Sequence, residues 1–280
     1  MTRLLVQLSD PHIKVPGSLA YGRVDTAGFL RRAVDSVRRL RQAPEAVVIT
    51  GDLTDFGRLD EYAHLRELLE PLRCPVYLMP GNHDDRHALR QAFADHAYLQ
   101  EESRGDGSGF VQYAVNLEGL RLVTVDTVVP KASHGAVDKE RLRHFDALLS
   151  EDRRTPTIVA MHHPPFKTFI GHMDDVGLLE GADALATVIA RHPQVERVIC
   201  GHLHRSIQAR WANTIAMTAP STAHQVCLDL APDAASAFVM EPPGFLIHAW
   251  SDTGLVVTHQ AAIGVFDGPY PFFDNGSLIE

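Results

Sequence analysis

The amino-acid sequence predicts an α/β fold, and three features of its pattern carry that expectation. Short apolar runs alternate with segments of helical period from Arg3 to Cys200. Five of the runs give way at their carboxyl ends to aspartate, histidine or asparagine, the arrangement by which open α/β sheets build sites along one edge. After residue 206 the helical period disappears and short strand-like runs follow one another.

Arg3–Leu8 reads as a buried strand that ends in the polar loop Ser9-Asp10-Pro11-His12. From Thr26 to Arg41, Phe29, Leu30, Val34, Val37 and Leu40 fall at helical spacing. Ala46–Thr50 is a second buried strand, closed by Gly51-Asp52. Asp60 is expected to cap a helix whose apolar face holds Tyr62, Leu65, Leu68 and Leu69. Pro75–Met79 is a third strand, followed by Gly81-Asn82-His83-Asp84.

Ser103–Gly109 reads as a glycine-rich loop, and Phe110–Leu117 and Leu120–Asp126 as strands joined through Glu118-Gly119. Arg141–Leu149 is expected to be helical. Thr157–Met161 is a strand ending at His162-His163-Pro164-Pro165. Phe169–Glu180 is irregular and borders the site. Ala182–Arg191 is helical, and Val195–Cys200 is a strand ending at Gly201-His202-Leu203-His204. Five further strands are expected at 207–211, 214–217, 226–230, 245–251 and 255–260, with 232–243 as a connecting insertion. The tail from Asp267 has no period and is expected to wrap the body or meet a partner subunit.

Composition narrows the function classes. A net charge of −9 argues against a surface built to grip a nucleic-acid polymer. It does not argue against a phosphate substrate, because bound divalent cations are missing from that sum. Sixteen histidines are an excess that suggests metal. Cys74, Cys200 and Cys227 form no spaced pair, so a disulfide framework is not expected and a reducing, cytoplasmic setting is. No apolar run is long enough for a membrane span.

Taken singly, the motifs are weak: an Asp-x-His triplet arises by chance, and an aspartate after a strand often caps a turn. Together, Asp10, His12, Asp52, Asn82, His162, His202 and His204 are collected from the ends of five strands. Carboxylate, imidazole and amide oxygen suit manganese, iron, zinc or cobalt better than calcium. The set is too large for one tetrahedral ion, whereas two ions bridged by the two oxygens of Asp52 use it fully.

Asp10-x-His12, Gly51-Asp52, Gly81-Asn82-His83-Asp84, His162 and Gly201-His202-Leu203-His204 resemble, in order and spacing, the calcineurin-like metallophosphoesterases. The His162-His163-Pro164-Pro165 run and Thr222-Ala223-His224-Gln225 are similar to the bacterial branch that hydrolyses cyclic nucleotides and glycerophosphodiesters. The resemblance implies a four-layer α/β/β/α sandwich of two mixed sheets. Residues 1–230 would form the core, and 231–280 would supply completing strands and a small cap or dimerisation region. It implies one ion on Asp10, His12, Asp52 and His204, and a second on Asp52, Asn82, His162 and His202. His83 would protonate the leaving group with Asp84 behind it to orient the ring, and Tyr21 and His224 would meet the substrate. The substrate implied is a small phosphodiester, and the assembly a homo-oligomer, dimer or higher. Phe56 stands where that branch carries an inter-subunit cysteine, so no covalent tie is expected. The rival readings are a phosphomonoesterase or protein phosphatase of the same fold, and a non-catalytic interaction module. The complete ligand set argues against the last.

Overall fold

The computed structural model describes residues 2–100, 109–252 and 254–279. The expected glycine-rich loop at 103–108 lies outside them. Two mixed sheets stack face to face. The first has the order Val256–Ala262, Gly244–Trp250, Arg3–Leu8, Ala46–Thr50, Val76–Met79, with its last three strands parallel. The second runs Ile207–Trp211, Thr214–Thr218, Val195–Cys200, Thr157–Met161, Leu120–Val125, Ala114–Leu117, with its four central strands parallel. The two C-terminal strands Gly244–Trp250 and Val256–Ala262 therefore complete the first sheet, with Gly244–Trp250 antiparallel to Arg3–Leu8.

Alternation along the strands sorts side chains into two cores. Val6, Leu8, Val47, Ile49 and Leu78 pack against the helices Thr26–Arg38 and Leu59–Leu69 through Leu30, Val34, Tyr62 and Leu65. Leu5, Val48 and Met79 face the second sheet. Phe145, Leu149, Leu185 and Ile189 of the helices Lys139–Glu151 and Ala182–Ala190 join that second cluster. The result is the expected four-layer α/β/β/α sandwich. Trp250, buried at 2%, spans the sheets by donating its indole N–H to Glu118 O at 2.9 Å.

Several local expectations are corrected. Asp60 lies inside the helix Leu59–Leu69 rather than capping it. The end is closed instead by the Glu61 carboxylate, which accepts from Phe56 N and Arg58 N at 3.0 and 3.3 Å. The strand expected at 110–117 begins only at Ala114, because Val111 N and Tyr113 N donate to the side chains of Asp126 and Thr124. The run at 226–230 pairs only at Gln225–Val226, against Phe238–Val239 inside the expected insertion, and Leu228 and Leu230 lie exposed. The helix Arg86–Ala92 is started by Asp85, whose carboxylate accepts from Ala88 N, and neither it nor Ala97–Gln100 is visible in the apolar pattern. The stretch 169–180 contains the helical turn Gly171–Asp174 and the strand Leu178–Glu180. The tail forms a small hairpin, Phe273–Asp274 with Ser277–Leu278, and exposes Tyr270, Phe272 and Phe273 instead of wrapping the body. All three cysteines are free, and among the described residues no helix is long and apolar enough to cross a membrane.

Candidate metal centre

Five parallel strands, three from one sheet and two from the other, direct their carboxyl ends to the same rim. The backbone there is unusual. Asp10, His12, Asp52, His202 and His204 all take left-handed φ values, between 45° and 70°. Such a conformation costs a non-glycine residue about 1–3 kcal/mol, and it accumulates where side chains must be aimed inward. Gly51, at φ +87°, turns the chain beside His162, and a side chain there would collide with that imidazole.

The rim brings together every ligand-type residue expected from the sequence. Ligand atoms of Asp10, His12, Asp52 and His204 all lie within 4.8 Å of one another, and these side chains are buried. His12 Nε2 is 3.1 Å from His204 Nε2, and His204 Nε2 is 3.7 Å from Asp10 Oδ1. On the other side of Asp52, His162 Nε2 stands 3.4 Å from Asp52 Oδ2 and 3.0 Å from Asn82 Oδ1. The rings of His162 and His202 have centroids 5.1 Å apart. Asp10 Oδ1 accepts the backbone N–H of His202 at 2.9 Å, and Asp52 Oδ1 that of His83 at 2.9 Å, so the loops lock one another.

Hydrogen bonds assign the imidazole tautomers. His162 Nδ1 donates to Thr50 O at 2.9 Å and His204 Nδ1 to His224 O at 3.0 Å. A carbonyl only accepts, so Nδ1 carries a proton in both rings and Nε2 is the nitrogen that faces the centre, where that of His162 meets the oxygens of Asn82 and Asp52. His202 Nε2 is buried without a hydrogen-bond partner. His12 Nδ1 faces Asp55 Oδ1 at 3.5 Å, and Lys14 Nζ holds the other Asp55 oxygen at 2.8 Å. Asp55 is absent from the set read off the sequence; its signal is a second acid three residues past Asp52 in a polar loop.

The electrostatics are those of a site short of positive charge. Asp10 and Asp52 are buried, and among the described residues neither is paired with lysine or arginine, only with histidine. Burial pushes the Asp10 carboxyl up to about 6, helped by the Asp52 charge. For Asp52, burial acts upward but is outweighed by His162 and His83, and its carboxyl falls well below the usual range. Burial, then the neighbouring imidazoles, holds His202 down at about 3 and His204 well below the ordinary value. Buried carboxylates without lysine or arginine, beside His202 and His204 held neutral, are a donor set that fits divalent transition metals. Asp10 Oδ2 and His202 Nε2, both buried without a hydrogen-bond partner, are the atoms such ions would satisfy.

Around the centre, His83 packs edge-on against His12 at 4.7 Å and donates Nδ1–H to Asp55 O at 2.9 Å. This corrects the expectation for Asp84, which makes no contact with the His83 ring among its hydrogen bonds. Its carboxylate accepts from Leu53 N, Thr54 N, Thr54 Oγ1, Gly81 N and Tyr62 OH, binding the second and third ligand loops together. Tyr21 and His224 do come together, with ring centroids 5.2 Å apart, and His224 lies 4.6 Å from His204. Phe238 packs on both at 5.1 and 5.2 Å; nothing in the Pro- and Ala-rich stretch around it announces this.

A family model, described as calcineurin-like phosphoesterase, matches residues 4–206, the span that holds every one of these ligand-type side chains. The chain belongs to that family. Members of the calcineurin-like phosphoesterases are metal-dependent hydrolases of phosphoric ester bonds, and this chain is one of them. It is 36% identical over 278 residues to a probable glycerophosphodiester phosphodiesterase, GpdQ, of Arcobacter nitrofigilis, covering 99% of this chain and 100% of the other. It is 34% identical over 269 residues to a probable cyclic nucleotide phosphodiesterase of Rhodopseudomonas palustris, covering 94% and 93%. A purple acid phosphatase from yellow lupin seeds shares the fold, with a TM-score of 0.66 at 14% identity, over 95% of this chain and 53% of that one.

Proposed function

We propose that the protein hydrolyses small phosphodiesters, 3′,5′-cyclic nucleotides or glycerophosphodiesters, at a centre of two divalent ions of manganese, iron, zinc or cobalt. The observation that carries this proposal is the convergence of seven ligand-type side chains with buried, unpartnered donor atoms at Asp10 and His202. Asp10, His12, Asp52 and His204 would hold one ion, and Asp52, Asn82, His162 and His202 the other. Such ions supply charge neutralisation at the phosphate and a water whose pKa falls toward ~7.

The chain's own groups do the remainder. His83, with Nδ1–H committed to Asp55 O, has Nε2 available to hand a proton to the departing alkoxide. The carbonyls of Thr50 and His224 orient the rings of His162 and His204, and Asp55 faces His12 Nδ1, so that each Nε2 would meet an ion. Tyr21 and His224, backed by Phe238, offer an aromatic wall and a phenol for the substrate. Tail residues 267–279, with exposed aromatic rings, would serve the cap or subunit contact outside the two sheets, the first of which residues 244–262 complete.

The two relatives described above are named as phosphodiesterases, one for each substrate class, and this favours diesters over monoesters. The test is a panel of cyclic nucleotides, glycerophospho-alcohols, bis-aryl and mono-aryl phosphates with Mn²⁺-loaded protein. Diesters are expected to be turned over faster. A clear monoester preference would make the protein a phosphomonoesterase of the same fold.

A further inference from the structure

We propose that His163 is a positioning residue for the second ion and not one of its ligands; this rests on the two-ion reading above. By proximity alone His163 looks like a ligand. Its ring lies 4.8 Å from that of His162 and 4.7 Å from that of His202, and nitrogens of the three rings fall within 4.8 Å of one another. Three imidazoles so close are a familiar ligand set for zinc.

The hydrogen bonds exclude it. His163 Nε2 is 3.1 Å from Ser133 O, and its Nδ1 is 2.7 Å from Thr127 Oγ1. The Ser133 carbonyl can only accept, so the ring proton sits on Nε2 and the Thr127 hydroxyl donates to Nδ1. Thr127 Oγ1 in turn accepts from His163 N at 3.3 Å. Neither nitrogen keeps a lone pair for a metal. His202, with Nε2 unpartnered, presents the opposite case in the same cluster.

The ring instead closes a circuit of hydrogen bonds through its own loop while packing on His202 at 4.7 Å. Gly135 stands against it, and a Cβ there would come within 2.6 Å of His163 Cγ, so the absent side chain is the room the imidazole uses. Gly135 N donates to Gly177 O at 2.9 Å and Val137 N to Glu180 O at 3.0 Å, which joins the segment held by His163 to 177–180. Leu178 N returns to the oxygen of Pro164, the residue that follows His163. His163 thus sets His202 by ring packing, its own ring held in place by the bonds to Thr127 and Ser133. Partners of this kind change metal affinity by about 10–100-fold when removed.

The experiment titrates metal-stripped full-length protein with Mn²⁺, counts coordinated imidazole nitrogens by pulsed electron resonance, and monitors the fold by circular dichroism. His163→Phe keeps the ring and loses both hydrogen bonds; His163→Gln restores a donor toward Ser133; Thr127→Val removes the hydroxyl alone. Wild type is expected to bind two ions. His163→Phe should hold the first with unchanged affinity and the second about 10–100-fold more weakly, with the same imidazole count at saturation. His163→Gln should recover part of the loss, and Thr127→Val should weaken the same ion to a smaller degree. One imidazole fewer in His163→Phe would make the residue a ligand and overturn the proposal. Wild-type affinity for both ions in every variant would reduce the ring to filler and overturn it equally. If His163→Phe does not fold, Thr127→Val decides by the same readouts. Fewer than two ions on the wild type would instead remove the two-ion reading, visibly and before any variant is compared.

Discussion

His83 donates its Nδ1 proton to the main-chain oxygen of Asp55, 2.9 Å away, and its ring rests edge-on against His12. The side chain is held by a backbone acceptor, so its orientation survives the loss of any neighbouring carboxylate, and Nε2 is left to exchange a proton. His83→Ala is therefore expected to keep its metal while losing about 10²–10⁴-fold in kcat on alkyl diesters. On an activated aryl diester the loss should be much smaller, because that leaving group departs without a proton. Equal losses on both would take the leaving-group role away from His83.

Asp84 ties the loops rather than the catalytic ring. One oxygen accepts from Leu53 N and Gly81 N, and the other from Thr54 N, Thr54 Oγ1 and Tyr62 OH. Either placement of an asparagine amide would set a donor against donors. Asp84→Asn should lower unfolding stability by about 2 kcal/mol in a denaturant titration. The ratio of alkyl-diester to aryl-diester rates, which reports on His83, should stay where it is; a fall in that ratio would reinstate Asp84 as the partner of that ring.

Asn82 Oδ1 faces His162 Nε2 at 3.0 Å, the only amide in the ligand-type set named above. Asn82→Ala should retain the ion held by Asp10, His12, Asp52 and His204 and lose the one shared with His162 and His202. Metal analysis after gel filtration measures this directly, and two full equivalents would refute the assignment.

His248 gives a pH signature away from the centre. It is wholly buried, with Nε2 3.2 Å from Gln7 Oε1 and Nδ1 2.9 Å from Thr258 Oγ1, and burial holds it down at about 3. The unfolded chain takes the proton near pH ~6.5 and the folded chain refuses it. Protonation therefore favours unfolding: the contribution is intact above pH ~6.5 and is lost progressively as pH falls toward about 3. Between pH ~7.5 and ~5.5, wild type should lose about 1 kcal/mol more stability than His248→Asn in matched urea titrations. Parallel curves would mean that His248 is protonated in the fold or does not carry the dependence.

Much of the architecture was legible because it follows from periodicity. Runs such as Ala46–Thr50 and Thr157–Met161 are too apolar to be anything but buried, and both are strands with the bounds the pattern gives. The ligand-type residues were legible for a similar reason: a carboxylate or imidazole at the end of a buried strand is costly unless something there needs it. The misses share a cause as well. Asp60 has the composition of a cap, but a reach from Glu61 to Phe56 N closes that helix end. The 110–117 strand starts late because side chains of Asp126 and Thr124 take its first amides.

From residue types and spacing alone came the α/β class, the strand edge that carries the chemistry, and the side chains gathered on it, since burial and coordination act on composition directly. The folded chain settled which nitrogen of each imidazole faces inward, that Asp55 and not Asp84 holds the neighbourhood of His83, and that both nitrogens of His163 are engaged. Those outcomes depend on backbone carbonyls of Thr50, Asp55, Ser133 and His224 and on left-handed turns at Asp10, His12 and His204. Every residue owns a carbonyl, so no letter of the sequence marks the one that will lie within hydrogen-bonding reach of a particular ring.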